Sequence, residues 1–157
     1  MTEHRLNRFE LSQYSFLRSQ IIELDERIRE VEAELAELDQ YNFNISPVYT
    51  GMPTGNERRD KIADFIIRLN DDRKRLNEIL TFLVAERAAA KYRLHKIRTE
   101  VNNIPNKEVR DIIIGHYFDG QKVSDIAEGL FMTSDGVYKK INRYFKRSNK
   151  NRIRAQQ

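Results

Sequence analysis

The chain reads as an all-α protein: a long antiparallel helical hairpin (coiled coil) followed by a three-helix helix-turn-helix module. Three observations predict this. Two long heptad seams run through stretches free of Gly and Pro, one Pro- and Gly-bearing loop lies between them, and the last third shows short apolar periods punctuated at helix-turn-helix spacing.

The first seam comprises Tyr14, Leu17, Ile21, Leu24, Ile28, Val31, Leu35 and Leu38, in alternating steps of three and four. The second comprises Ile62, Ile66, Leu69, Arg73, Leu76, Leu80, Leu83, Arg87, Ala90, Leu94, Ile97 and Val101, broken only by the two arginines. Both stretches are rich in Glu, Arg, Leu and Ala, so intrinsic propensity agrees with pattern. Between them, about residues 41–56 hold Pro47, Gly51, Pro53 and Gly55, a loop. A loop of that length cannot return along a helix on the order of 50 Å, so the two helices are expected to be antiparallel neighbours.

Antiparallel pairing requires facing residue numbers to keep a constant sum. The register Leu38 with Ile62, Leu35 with Ile66, Val31 with Leu69, Leu24 with Leu76 and Leu17 with Leu83 satisfies this. It sets Arg73 against Ile28 beside Glu26 and Glu30, and Arg87 over Tyr14. Each arginine is then either a snorkelling side chain or a device fixing register or oligomeric state. The same register leaves Ile97 and Val101 overhanging, to pack on the terminal module or on another subunit. The acidic run from Glu23 to Asp39 reads as a solvated face complementing Arg58 to Arg75. Tyr41, Phe43 and Tyr49 are expected to cover the open hairpin end.

Near 103 the chain changes character. Asn103-Ile104-Pro105-Asn106 stops the second long helix, because Pro disfavours helical geometry in the residue before it. A helix carrying Val109, Ile112, Ile113, Tyr117 and Phe118 follows and ends at Asp119-Gly120. The next begins near Val123 on Ile126, Ala127 and Leu130. Met132 plugs the turn, Thr133 caps the last helix, and Val137, Ile141, Tyr144 and Phe145 form its buried stripe. The expected domains are 1–102, the hairpin; 103–148, the helix-turn-helix; and 149–157, a basic tail.

Charge separates these parts. Residues 1–101 carry 17 Lys plus Arg and 18 Asp plus Glu, whereas 102–157 carry 11 and 6; from Gly136 onward there are eight basic residues and no acid. Such a local basic footprint suits a helix placed against phosphates. The outward face of the last helix supplies the candidate base-reading residues Ser134, Asp135, Tyr138, Lys139 and Asn142. Asn pairs with adenine, Lys with guanine, and Asp near a helix start accepts from cytosine or complements the dipole. Lys140, Arg143, Lys146, Arg147 and Lys150 are the candidate phosphate contacts.

Other functions lack their residues. With no Cys and three scattered His (His4, His95, His116), neither disulfides nor a metal site is expected, and no cofactor is implied. No clustered nucleophile, carboxylate or phosphate-cradling loop points to an enzyme. No apolar run approaches the roughly 20 residues a membrane span needs, and no signal-peptide core stands at the N-terminus, so a soluble cytoplasmic protein is expected.

Tyr117-Phe118-Asp119-Gly120, then Asp125-Ile126-Ala127-Glu128, Thr133, Val137 and the basic end resemble region 4 of sigma-70 family factors. The helical front and the Gly-Met-Pro-Thr-Gly loop at 51–55 look like phage late transcription regulators of the RinA and ArpU type, which carry such a module. Two positions depart from the pattern: Phe131 stands where the turn usually has Gly, and Lys122 where a Ser or Thr cap is usual. The resemblance implies a monomeric or dimeric promoter-binding protein acting on RNA polymerase in a bacterial host, at the nucleoid, with the last helix in the groove. Nothing in the front resembles the segment that melts promoter DNA, so an activator is expected rather than a stand-alone sigma factor. Double-stranded DNA, RNA polymerase and a second copy joined through the hairpin are the partners this reading names. The rival readings are a small terminase-like packaging protein, told apart by a ring-sized mass, and a coiled-coil interaction adaptor.

Overall fold

The computed structural model describes residues 6–43 and 56–154, with side chains for 6–41, 61 and 63–146. Among these all the regular secondary structure is helical: α1 (Arg8–Phe43), α2 (Asn56–Asn102), α3 (Lys107–Ile113) with a π-helical turn over Ile114–Phe118, α4 (Val123–Gly129) and α5 (Ser134–Arg154). The expected tail from 149 is thus helical as far as Arg154. The loop residue Tyr49 and the side chain of Phe43 lie outside the described residues.

The start of α1 is set by its own chemistry. Asn7 Oδ1 accepts from the Glu10 amide at 2.8 Å, and Glu10 Oε2 accepts from the Asn7 amide at 2.8 Å. This capping box satisfies two amides that the first turn leaves without helical partners. Leu6, before the cap, and Leu11, in the next turn, are both buried in one cluster, the arrangement of a hydrophobic staple.

Residues fall into two compact units, Ile22–Ala88 and Met1–Ile21 with Ala89–Gln157. In the first, Leu24, Ile28, Val31, Leu35 and Leu38 of α1 and Leu69, Arg73, Leu76, Leu80, Leu83 and Arg87 of α2 are buried or half-buried. The seams are therefore those read from the heptads. Their register is not. Leu24 and Ile28 cluster with Leu83, supported by Val31, Ile79 and Leu80. Arg73 pairs with Asp39 at 2.5 Å and Arg87 with Asp25 at 2.8 Å. The helices are displaced by about three turns from the expected pairing of Arg73 with Ile28. A heptad seam meets another equally well after any whole-step slide, so apolar spacing alone leaves register undetermined; the ion pairs distinguish among the slides. One consequence lies at the start of α2. Phe65, Ile66 and Ile67 are exposed, and Ile66 does not face Leu35.

The second unit joins the outer ends of both long helices to the three short ones. Leu11, Tyr14 and Leu17 share one buried cluster with Ala90, Ile97 and Val101, and with Ile112, Ile113, Ile126, Val137, Ile141 and Phe145. Ile97 and Val101 do not overhang; they lie in a core that includes the terminal module. Tyr14 stacks on Phe118, with ring centroids 3.8 Å apart and planes at 19°, instead of lying under Arg87.

Candidate nucleic-acid interface

The last three helices are arranged by their ends. Asn106 caps α3, its side chain accepting from the Val109 amide at 3.2 Å. The expected single helix to Phe118 is an α-helix to Ile113 and a π-helical turn over Ile114–Phe118, closed by the Asp119 amide on the Ile114 carbonyl at 3.0 Å. Gly120, at φ 67, then reverses the chain. Gly115 is the residue of close approach. A Cβ there would stand 2.9 Å from Gln121 Oε1 and 3.2 Å from the Ile126 side chain.

Lys122 opens α4 in an extended conformation without a side-chain cap, so its departure from the usual Ser or Thr leaves that start uncapped by its own side chain. At the other end the Phe131 amide meets the Glu128 carbonyl at 3.2 Å and the Met132 amide meets the Ala127 carbonyl at 2.9 Å. This is the Schellman pattern, which requires a left-handed residue between Leu130 and Met132. Phe131 supplies it at φ 55 while its side chain is 98% exposed. The turn keeps the geometry a glycine would give and bears the strain of a Cβ.

Thr133 Oγ1 accepts from the Gly136 amide at 3.1 Å, so α5 starts where the cap was read. Val137, Ile141 and Phe145 are buried and Tyr144 is half-buried, which turns the opposite face outward. Ser134, Asp135, Tyr138, Lys139, Asn142, Arg143 and Lys146 are all exposed on α5. The side chains of Arg147 and Lys150 lie outside the described residues, although both positions are on α5.

The exposed residues are not equivalent. Lys139 pairs with Asp135 at 2.6 Å, one turn away. Lys140 is half-buried and bound to Glu108 of α3. Asn142 accepts from the Arg8 guanidinium through Oδ1, and the same guanidinium lies 5.1 Å from the Phe145 ring centroid. Arg143 and Lys146 have no ion pair among the described residues, so among the described side chains of α5 they carry the uncompensated positive charge.

Arg8 lies far in sequence from the basic C-terminal segment that composition marks. Its signal was the capping box itself: Leu6-Asn7 followed by Glu10 and Leu11 fixes the helix start, and so fixes which residue occupies the first turn. Among the described residues no group of three or more His, Cys, Asp or Glu could hold a metal ion, and no helix is long and apolar enough to cross a membrane. No family model, curated protein or solved structure matches the chain.

Proposed function

We propose that the protein is a sequence-specific DNA-binding transcriptional regulator, a phage-encoded activator of the RinA and ArpU type that acts with RNA polymerase in the bacterial cytoplasm through its C-terminal helix-turn-helix. The observation that carries this reading is the outward face of α5. Seven polar or charged residues, from Ser134 to Lys146, stand exposed on one helix whose other face is buried. From Gly136 to the last residue the sequence has eight cations and no acid.

In this reading the first three turns of α5 lie in the major groove, where Ser134, Asp135, Tyr138, Lys139 and Asn142 meet base edges. Arg143, Lys146, Arg147 and Lys150 meet phosphates, Lys140 joins them where a phosphate displaces Glu108 of α3, and the Thr133 cap holds the entry angle. Hairpin residues contact polymerase or a second copy; Phe65, Ile66 and Ile67 are among the exposed apolar side chains of the hairpin that suit such a contact.

The test is fluorescence anisotropy of the full chain on duplexes enriched from a random pool. Wild type is expected to bind selectively, with affinity falling steeply as salt rises. Arg143→Glu and Lys139→Glu are each expected to weaken binding at least about ten-fold, since each replaces an attraction by a repulsion at a phosphate or base. Unchanged binding by both variants contradicts the proposal.

A further inference from the structure

Among the described residues, Asn142 is the candidate base reader whose side chain is held by a residue distant in sequence. Arg8 comes from the first turn of α1, 134 positions away, and reaches Asn142 Oδ1. Its backbone and its guanidinium are each placed by a separate contact. The Asn7 and Glu10 capping box fixes the first turn of α1, and the Phe145 ring, one turn along α5 from Asn142, lies under the guanidinium at 5.1 Å.

The chemistry of this contact has a direction. A guanidinium has five N–H donors and no acceptor, so an amide facing it turns its oxygen inward. Asn142 then presents Nδ2 to the groove. An asparagine free to use both ends reads adenine bidentately, accepting from N6 while donating to N7. One whose oxygen is turned toward a guanidinium at its flank offers the groove its Nδ2 donor first, and guanine N7 or O6 suits that donor as well as adenine N7.

We infer that Arg8 is a positioning residue that sets base preference through Asn142: by engaging Oδ1 it makes Asn142 a donor for purine acceptors instead of an adenine reader. The inference rests on the DNA-binding reading above. It couples the first helix of the hairpin to the recognition helix, since the base preference of α5 depends on a residue of α1. Lys140, on the other flank of α5, is engaged by Glu108 of α3 and leaves the amide untouched.

The experiment selects duplexes from a random pool with the full-length wild type, Arg8→Met, Arg8→Lys and Asn142→Ala, and then measures affinity for each base at the pair that Asn142→Ala makes indifferent. Met keeps an unbranched stem over Phe145 and removes the donor. For wild type, adenine and guanine are expected to bind within about three-fold of each other. Replacing that purine by its 7-deaza analogue is expected to weaken binding several-fold. Arg8→Met is expected to raise the adenine-over-guanine ratio about ten-fold, the size of one bidentate pair. Arg8→Lys, which keeps a donor, retains the wild-type ratio. An unchanged ratio in Arg8→Met, whether or not affinity falls uniformly across sequences, overturns the inference and leaves the DNA-binding reading standing. A wild type that enriches no sequence overturns both.

Discussion

Arg87 donates to Asp25 at 2.8 Å, and Arg73 meets Asp39 at 2.5 Å two heptads farther along the same helices. Both arginines are the seam positions that break the apolar pattern of α2. Both aspartates directly follow a seam leucine of α1, Leu24 and Leu38. The pairs repeat with the seam and occur together only when the helices are in this register. Each is half-exposed and contributes about 0.5–1 kcal/mol by itself. Their value is that a whole-step slide breaks both while leaving apolar packing nearly intact.

Register is readable by cross-linking, because the chain has no native Cys. Ile28→Cys with Leu83→Cys is expected to form a disulfide under mild oxidation. Leu24→Cys with Leu76→Cys, the pair of the heptad-only register, is expected to remain reduced. Non-reducing electrophoresis distinguishes them, and cross-linking of the second pair alone contradicts the register.

Thr133 carries the start of α5. Thr133→Ala removes the hydroxyl that accepts from Gly136 and is expected to cost about 1 kcal/mol in denaturant unfolding. Thr133→Ser keeps the acceptor and is expected to lie within a few tenths of wild type. Equal stability of all three excludes the cap.

At Phe131 the backbone is left-handed and the ring is exposed, so the side chain gives little packing in return for its strain. Phe131→Gly is expected to raise stability by up to about 1 kcal/mol, part of the relief being offset by the larger entropy of an unfolded glycine. A loss of stability in thermal unfolding means that the Phe131 ring packs against the protein, contrary to its exposure.

Two glycines predict opposite signs. Gly115→Ala is expected to destabilise by about 1 kcal/mol, because its Cβ would stand 3.2 Å from the buried Ile126 side chain, whereas the exposed Gln121 amide can swing aside. Gly129→Ala, in a helix with open space around it, is expected to stabilise by up to about 1 kcal/mol. The same sign at both positions contradicts the close approach of the π-helical turn to α4.

Much of the fold was legible because local rules agree. The 3–4 spacing located both seams, Pro105 and Gly120 marked boundaries, and Thr133 and the Val137, Ile141, Phe145 stripe oriented α5. What stayed hidden depends on relations between distant segments. Heptads are periodic, so the hairpin register needed the Arg–Asp pairs, which are visible in the sequence once their shared two-heptad spacing is noticed. The π-helical turn at Ile114 has no pattern of its own, and the role of Gly115 there emerges only when α4 lies across it. The exposed face of α5 was predicted residue by residue, whereas Arg8 entered it from a helix start about a hundred residues away from the module.

The central claim, that the exposed face of α5 reads duplex DNA, is tested most directly by selecting from a random duplex pool with the full chain at fixed salt. One enriched motif is expected, lost with Arg143→Glu and changed at a single base pair with Asn142→Ala. Failure to enrich any motif above the starting pool, with equal retention of the pool by wild type and Arg143→Glu, would contradict it.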